Sequence, residues 1–217
     1  MASPDGSRHA GRPRDPAIDQ AILEATLNVL HEHGYAGFSL EAVATRAGTT
    51  KPTIARRWRR RQELIIAALA TVLVRPPVPD TGCTRCDLID GIELLADAVL
   101  RRMPPAVLAP LIADCAPDRE LHQYLTDALV LPTREALALT VKRAIDRGHL
   151  RSDTNPELVV DLFASMVFQG GLFADSRFDA QRVVEAVDLV LRGIAVSFTT
   201  LIELSEINQG EQHRHPE

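Results

Sequence analysis

Apolar residues near the start of the chain recur at steps of three and four residues, which is the spacing of an amphipathic α-helix. The repeat lies between Pro16 and Gly34 and consists of Ile18, Ala21, Ile22, Ala25 and Val29. Pro16 suits the first turn of a helix, and Gly34 suits the left-handed position just after one. The pattern therefore predicts a first helix between these two residues.

Two much shorter helical segments follow. Ser39 is a suitable N-cap for a segment that ends near Gly48, and Thr50 is a suitable N-cap for the next one. Pro52 is tolerated in the first turn of that third helix, because its missing N–H would have no intrahelical partner there. Two short helices joined by a tight turn at residues 47–49 predict a helix-turn-helix.

The third helix is predicted to have an apolar face and a basic face. Ile54 and Trp58 share one side of the helix, so we interpret Trp58 as a core side chain rather than a base-stacking one. Arginines on the other side could bridge guanine O6 and N7 in a major groove. Arg59, Arg60 and Arg61 follow the helix and are expected to hold phosphates. The candidate DNA contacts are Arg46, Thr49, Thr50, Lys51, Pro52, Thr53, Ala55, Arg56, Arg57 and Arg61.

The charge balance changes along the chain. The whole sequence carries 24 Lys and Arg against 29 Asp and Glu, but residues 1–64 carry ten basic and seven acidic residues. A basic run alone is often only a solvated surface. A basic head on an acidic body is instead typical of a protein whose head approaches a polyanion. The charge distribution thus favours nucleic-acid binding by the head.

Residues 18–69, IDQAILEATLNVLHEHGYAGFSLEAVATRAGTTKPTIARRWRRRQELIIAAL, resemble the DNA-binding domain of the TetR family of bacterial transcriptional regulators. The resemblance implies an all-α fold, in which an N-terminal three-helix helix-turn-helix domain precedes a larger helical ligand-binding and dimerisation domain. The matching features, in order, are Gly34-Tyr35 after a long first helix, Ser39 before the second helix, Ala47-Gly48, the capped recognition helix, Trp58, and Glu63-Leu64 at the start of a fourth helix.

Three positions depart from the family pattern. Ala55 stands where the family usually has a tyrosine that touches a DNA phosphate, so that contact is absent and Ala55 could instead meet a thymine methyl. Arg60 stands where a small capping residue is usual, and it cannot accept the free amide hydrogens, an omission that costs about 1 kcal/mol. Arg61 replaces a frequent lysine and keeps its charge.

The chain divides into four predicted segments. These are a disordered basic arm at 1–15, the helix-turn-helix domain at 16–61, a helical ligand-binding and dimerisation domain at 62–205, and a disordered tail at 206–217. Arg12 and Arg14 flank a proline in the arm, where they either reach into a minor groove or belong to an ordinary disordered tail.

Helical patterns and Pro or Gly breaks predict six helices in the body, at about 62–74, 87–103, 106–115, 118–147, 156–174 and 179–204. The resemblance implies that the last two long helices pair with their copies in a homodimer, although such apolar stripes otherwise indicate the core of a single chain. The candidate interface residues are Leu158, Leu162, Ser165, Met166, Gly170, Val187, Leu191 and Ile194.

The resemblance also implies a small-molecule pocket in the body. Plain core packing is the alternative explanation for the apolar candidates. The candidate lining residues are Leu95, Met103, Leu108, Leu111, Leu125, Leu129, Phe168 and Gln169, with Asp114, Cys115 and His122 as further polar anchors.

Cys83 and Cys86 form a CxxC in what we predict to be a loop. Zinc would need two further ligands and no second pair exists, so no metal and no cofactor are expected. Three cysteines, an odd number, argue against a disulfide framework, and incidental thiols or redox sensing are the alternatives. No catalytic triad, carboxylate pair or phosphate loop supports an enzyme.

The pattern of apolar residues also bears on location. The first residues contain no apolar segment typical of a secretory signal. The longest apolar run, Leu64 to Val74, has 11 residues, against roughly 20 needed to span a bilayer. We therefore expect a cytoplasmic protein without a membrane partner.

These features predict a homodimeric repressor that binds a palindromic double-stranded DNA operator and is released by an unknown small-molecule effector. One alternative is a ligand-independent or redox-gated DNA-binding regulator. From a different class, the chain would be a helical protein-binding or small-molecule-binding module without specific DNA binding. The sequence does not name the operator, the genes or the effector.

Overall fold

The structure, a computed structural model, describes residues 15–73, 79–104, 106–173 and 179–212, and in these ranges it is all-α, as predicted. An isolated bridge between Leu150 and Ala195 is the only β-type pairing within them. The described helices are α1 (Pro16–His33), α2 (Leu40–Arg46), α3 (Lys51–Ala55), α4 (Arg61–Val72), α5 (Thr84–Ala96), α6 (Leu108–Cys115), α7 (Arg119–Leu125), α8 (Leu131–Asp146), α9 (Pro156–Phe173), α10 (Ala180–Ile194) and α11 (Phe198–Gln212).

Local capping signals define the head, which consists of α1, α2 and α3. The Ser39 side chain accepts from the Ala42 N–H, and the Thr50 side chain accepts from the Thr53 N–H, so both predicted N-caps are confirmed. Gly34 and Gly48 both have positive φ, 64° and 61°, which a residue with a side chain rarely adopts. These turns direct α1 onto α2 and α2 onto α3.

Helix α4 belongs to the head and to the body at once. It packs against α1 on one side and against α6 and α7 on another. Arg60 precedes it without a side-chain capping bond, as the sequence indicated. The buried side chains of α4 occupy more than half of its circumference, and they are Leu64, Ile65, Ile66, Ala68 and Leu69. A displacement of α4 therefore moves surfaces in both parts, and the domain border at residue 61 stays a prediction.

Helix α5 is the central element of the body. It packs against α8, α9, α10 and α11. Gly91 allows the close approach of α8, because a Cβ at that position would lie 2.9 Å from Leu137 Cδ2. The core formed around α5 is continuous with the core of the head.

Two helices contain a wider π-helical turn. Asp97–Arg102 prolongs α5, and Thr126–Val130 connects α7 to α8. The predicted helices at 87–103 and 118–147 are therefore continuous helical segments, but each includes a π turn. Pro132 lies in the first turn of α8 just after the second π turn, and its missing N–H cannot serve the regular α-helical bonding pattern.

Three predicted boundaries are wrong. Helix α5 starts at Thr84 rather than near 87, because the Cys83 side chain caps it, so the CxxC is not in a loop. The helix predicted at 179–204 is broken after Ile194, where Ala195 is extended and bridges to Leu150. The tail predicted to be disordered from 206 is helical up to Gln212, and residues 213–217 lie outside the described part.

None of the described helices is long and apolar enough to cross a membrane.

Candidate nucleic-acid interface

Helix α3 presents a short basic surface fixed from beneath by apolar side chains. Ile54 is fully buried, and Trp58 is partly buried against the same core, which supports its interpretation as a core residue. Lys51, Pro52, Ala55 and Arg56 are exposed on the other side, together with Thr50, whereas Thr49 and Thr53 are half-buried. The exposed surface has the width and charge that a major groove accepts.

Lys51 of this surface and Arg46 of α2 both form exposed ion pairs. Arg46 Nη2 is 2.8 Å from Glu32 Oε2, and Lys51 pairs with Glu41. The hydrogen bonds from these cations hold the pKa of the Glu32 and Glu41 carboxyls below their ordinary values. Exposed pairs of this kind contribute little to stability, so a phosphate can replace the carboxylate at little cost.

Arg57 does not point outwards with the other arginines, so its predicted place on the outer face is wrong. Its side chain is only 11% exposed and pairs with Asp19 in the first turn of α1. The reason is that Arg57 lies in the turn after α3, from which its side chain reaches Asp19 of α1. Arg57 therefore holds the recognition helix against α1.

Arg60 and Arg61, expected to hold phosphates, instead bind carboxylates of the body. Arg60 Nη1 lies 2.7 Å from Asp118 Oδ2, at the residue that caps α7. Arg61 donates to Asp114 Oδ2 at 3.2 Å, and its guanidinium lies over the Tyr35 ring, 4.9 Å from the centroid. Both side chains are turned towards α6 and α7 in this structure, and their contact with phosphates stays a prediction.

Asp114 is the centre of this contact between head and body. Its Oδ2 also accepts from the Tyr35 hydroxyl at 2.6 Å and from Gln62 Nε2 at 2.8 Å. Hydrogen bonds from Tyr35, Gln62 and Arg61 hold the pKa of Asp114 below its ordinary value, and burial raises the pKa of Tyr35. We name the set Tyr35, Arg60, Arg61, Asp114 and Asp118 the head–body clasp.

Arg56 and Arg59 are the two arginines of the cluster whose side chains bind no group in the described part of the chain. Both border a cleft of about 680 Å³ between the head and α7, with Trp58 and Tyr124 on its walls. Their charges are therefore free for a phosphate or a base. The predicted arm residues Arg12 and Arg14 lie outside the described residues.

The predicted pocket residues divide by position. Gln169 is exposed on the outer side of α9, Asp114 faces the head, and His122 is exposed on α7, so none of these three can line an internal pocket. Phe168 is half-buried against the core. Cys115 is buried, and this burial raises the pKa of its thiol. The remaining candidates are buried in one continuous core, and they are Leu95, Met103, Leu108, Leu111, Leu125 and Leu129.

The predicted interface residues divide in the same way. Val187 and Leu191 are fully buried in the single chain, and Gly170 is buried as well, so their assignment to a surface is wrong. On α10, Val187 and Leu191 belong to an apolar stripe that packs on α5, so they are not available to a second chain. Leu158 and Leu162 are more than half exposed, Ser165 is exposed, and Met166 and Ile194 are half-buried.

Sequence reasoning missed the exposed apolar residues Phe173 on α9, Leu189 on α10 and Val196 just after it. Leu189 and Val196 are seven residues apart, a helical spacing that was available as a signal. The acidic partners Asp19 and Asp118 were also missed, because nothing local marks a contact between residues 38 or 58 positions apart.

Known proteins resemble both halves of the chain. The profile "Bacterial regulatory proteins, tetR family" matches residues 22–68, and "Tetracyclin repressor-like, C-terminal domain" matches residues 78–190. The DNA-binding transcriptional repressor TetR of Mycobacteroides abscessus is 33% identical over 177 residues, which cover 79% of this chain and 92% of that protein.

Two further matches extend over similar lengths. The HTH-type transcriptional regulator YdeS of Bacillus subtilis is 28% identical over 191 residues, which cover 88% of this chain and 96% of that protein. The crystal structure of TetR family transcription regulator SCO0332 has a TM-score of 0.65 and 25% identity, covering 81% of this chain and 97% of that one. The likeness therefore includes the head and the body.

Proposed function

Because the chain belongs to the TetR family of bacterial transcriptional regulators, we propose that it is a homodimeric repressor whose hold on a palindromic operator is released by a small-molecule effector. The family consists of DNA-binding regulators of repressor type and not of enzymes. The observation that carries the proposal is the exposed basic surface of α3, fixed from beneath by Ile54 and Trp58.

Each head would insert α3 into a major groove. Lys51, Pro52, Ala55 and Arg56 are exposed there and able to reach base edges and phosphates. Arg59, which has no acidic partner in the described ranges, adds a phosphate contact at the rim. Two heads of a dimer would occupy successive major grooves about 34 Å apart.

The dimer would form through the outer faces of α9 and α10. Leu158 and Leu162 on α9 are 57% and 54% exposed, and Leu189 on α10 is 73% exposed. Large apolar side chains that are exposed close together on a helix are typical of a surface that binds another protein. A two-fold axis through this surface would give the symmetry that a palindromic operator requires.

Effector release would act through the head–body clasp. Asp114 and Asp118 lie at the end of α6 and the start of α7, so a displacement of these helices shifts the carboxylates that hold Arg60 and Arg61. An effector that binds the body better when those helices have moved would favour heads spaced wrongly for the operator. An effector with a largely apolar surface is favoured by the buried pocket candidates, which are Leu95, Met103, Leu108, Leu111, Leu125 and Leu129.

The test is fluorescence anisotropy with the intergenic DNA upstream of the chain's own gene, against scrambled DNA of equal length. Specific binding with two chains per DNA site supports the proposal. Specific recognition would be excluded by equal binding to the intergenic and the scrambled DNA, together with a genomic selection in which no fragment is enriched.

A second experiment addresses the dimer separately. Leu162→Asp should convert the protein to a monomer in sedimentation equilibrium, because the charge would be buried in the interface. Leu139→Asp is the matched control, since Leu139 is exposed on α8, a helix that carries none of the proposed interface residues, and that variant should remain a dimer. A dimeric Leu162→Asp variant would place the interface elsewhere.

A further inference from the structure

The N-terminus of α5 carries a disulfide between Cys83 and Cys86, although the sequence favoured incidental thiols. Cys83 caps the helix, and its Sγ accepts a hydrogen bond from the Cys86 N–H at 3.2 Å. Cys83 is buried and Cys86 is half-buried, so Cys86 is the more accessible residue of the pair. The DNA-binding function does not use either residue.

We propose that Cys83 and Cys86 form a reversible redox site that exchanges with low-molecular-weight thiols and controls the docking of α11 on α5. The inference concerns the contacts at the N-terminus of α5, so it does not depend on the proposed function.

The environments of Cys83 and Cys86 determine which sulfur is attacked and which one leaves as a thiolate. A small thiolate attacks Cys86 Sγ, the sulfur of the more accessible residue, and forms a mixed disulfide there. The S–S bond breaks, and its electron pair leaves on Cys83 Sγ. The resulting thiolate is stabilised where it forms, because it accepts the Cys86 N–H at the positive end of the α5 dipole.

A second small thiolate completes the reduction. It attacks the sulfur of the small thiol in the mixed disulfide, which releases a small-molecule disulfide and leaves Cys86 as a thiolate. The net reaction converts one protein disulfide and two small thiols into the protein dithiol and one small disulfide. Oxidation is the reverse, with the small disulfide as the oxidant.

Helix α11 rests directly on this site. Ser205 on α11 is 2% exposed, and its Oγ lies 3.5 Å from Cys86 Sγ. Arg85, between the two cysteines, donates to Ser205 Oγ at 3.0 Å and to both carboxylate oxygens of Asp188 on α10. One residue of the CxxC thus joins α5 to α10 and α11.

Reduction should loosen this junction. When the S–S bond breaks, the two sulfurs move apart to van der Waals separation, and Cys86 Sγ has the buried Ser205 Oγ as a neighbour at 3.5 Å. A closely packed interior resists added volume, so the separated sulfurs strain the contact between Cys86 and α11. The oxidised protein should therefore keep α11 docked, and the dithiol form should release it more often.

The third cysteine supplies an internal reference. Cys115 is fully buried at the end of α6, and burial raises the pKa of its thiol. Its thiolate is therefore scarce, and native Cys115 should react with neither small thiols nor alkylating reagents. Any reversible change in thiol number then belongs to the pair on α5.

The test equilibrates the intact chain in buffers of reduced or oxidised glutathione, quenches it in acid, denatures it and counts the thiols by maleimide mass labelling. We expect three labelled thiols in reduced and one in oxidised glutathione, given the disulfide and one free cysteine. A count that does not change between the two buffers would overturn the proposed redox site.

Hydrogen exchange of residues 198–212 in the same two samples tests the docking. We expect the amides of α11 to exchange roughly tenfold faster in the reduced protein, with α1 unchanged. Ser205→Ala removes the hydroxyl that meets Cys86, so the thiol count should still change while α11 exchange becomes insensitive to glutathione. Equal exchange of α11 in reduced and oxidised wild-type protein would overturn the coupling.

Discussion

The arginine cluster after the recognition helix has an outer part and an inner part. Arg56 and Arg59 are exposed and bind no group in the described ranges, whereas Arg57, Arg60 and Arg61 each bind a carboxylate. The sequence contains nothing that separates them, since all five occur within six residues. The difference teaches that a basic run can combine charges for a ligand with charges that hold the site in place.

The inner arginines connect three parts of the molecule. Arg57 binds Asp19 on α1, Arg60 binds Asp118 at the start of α7, and Arg61 binds Asp114 at the end of α6. The outer arginines therefore sit on a surface whose orientation the inner ones help to fix. Two variants, a pH series and a binding measurement can break or sharpen this comparison.

Arg57→Ala is expected to cause the largest decrease in the free energy of unfolding. The Arg57 side chain is mostly buried, so its loss leaves Asp19 without its cation and removes a charge-assisted hydrogen bond worth about 1.5–3 kcal/mol. Urea denaturation should show a decrease in the free energy of unfolding of about 2 kcal/mol. Arg59→Ala is the matched control and should stay within about 0.5 kcal/mol of wild type. Equal losses in both variants would remove the distinction between inner and outer arginines.

A smaller effect is expected from Asp114→Asn. The amide keeps the shape of the side chain but loses the charge that Arg61 binds, and Tyr35 and Gln62 then donate to a weaker acceptor. The free energy of unfolding should fall by about 1 kcal/mol, because charge-assisted hydrogen bonds are stronger than neutral ones. Asp153→Asn, which removes an exposed partner of Arg151, should have almost no effect.

The smallest effect is a dependence on acid pH. The pKa of Asp114 is lowered, chiefly by the Tyr35 hydrogen bond, and that of Asp118 chiefly by the Leu121 N–H. A lowered folded-state pKa gives stability that is present above the ordinary value of 3.8 and is lost as pH falls through the folded value. The difference in thermal midpoint between wild type and Asp114→Asn should therefore shrink from pH 6 to pH 3. A constant difference would contradict the lowered pKa.

The head could be predicted closely from the sequence because its signals are local. Asp15, Ser39 and Thr50 cap their helices within three residues, and Gly34 and Gly48 have the positive φ that a glycine permits. The family resemblance covers the same stretch. The position of Trp58 against the core also followed from its spacing to Ile54.

The body was harder because distant contacts decide it. Val187 and Leu191 form the most regular apolar stripe of α10, yet α5 covers them and leaves Leu189 exposed. The break after Ile194 depends on a pairing between Ala195 and Leu150, 45 residues away in the sequence. The partners of Arg57 and Arg60 are likewise remote, so no local pattern could distinguish these arginines from Arg56.

The most direct test of the account is the salt dependence of operator binding by wild type, Arg56→Ala and Arg151→Ala, an exposed arginine of the body. We predict that Arg56→Ala lowers the affinity roughly tenfold. If the lost contact is to a phosphate, the slope of log K against log salt should also become less steep by about 0.9. Arg151→Ala should match wild type. Wild-type affinity and slope in Arg56→Ala would contradict DNA recognition by the outer surface of α3.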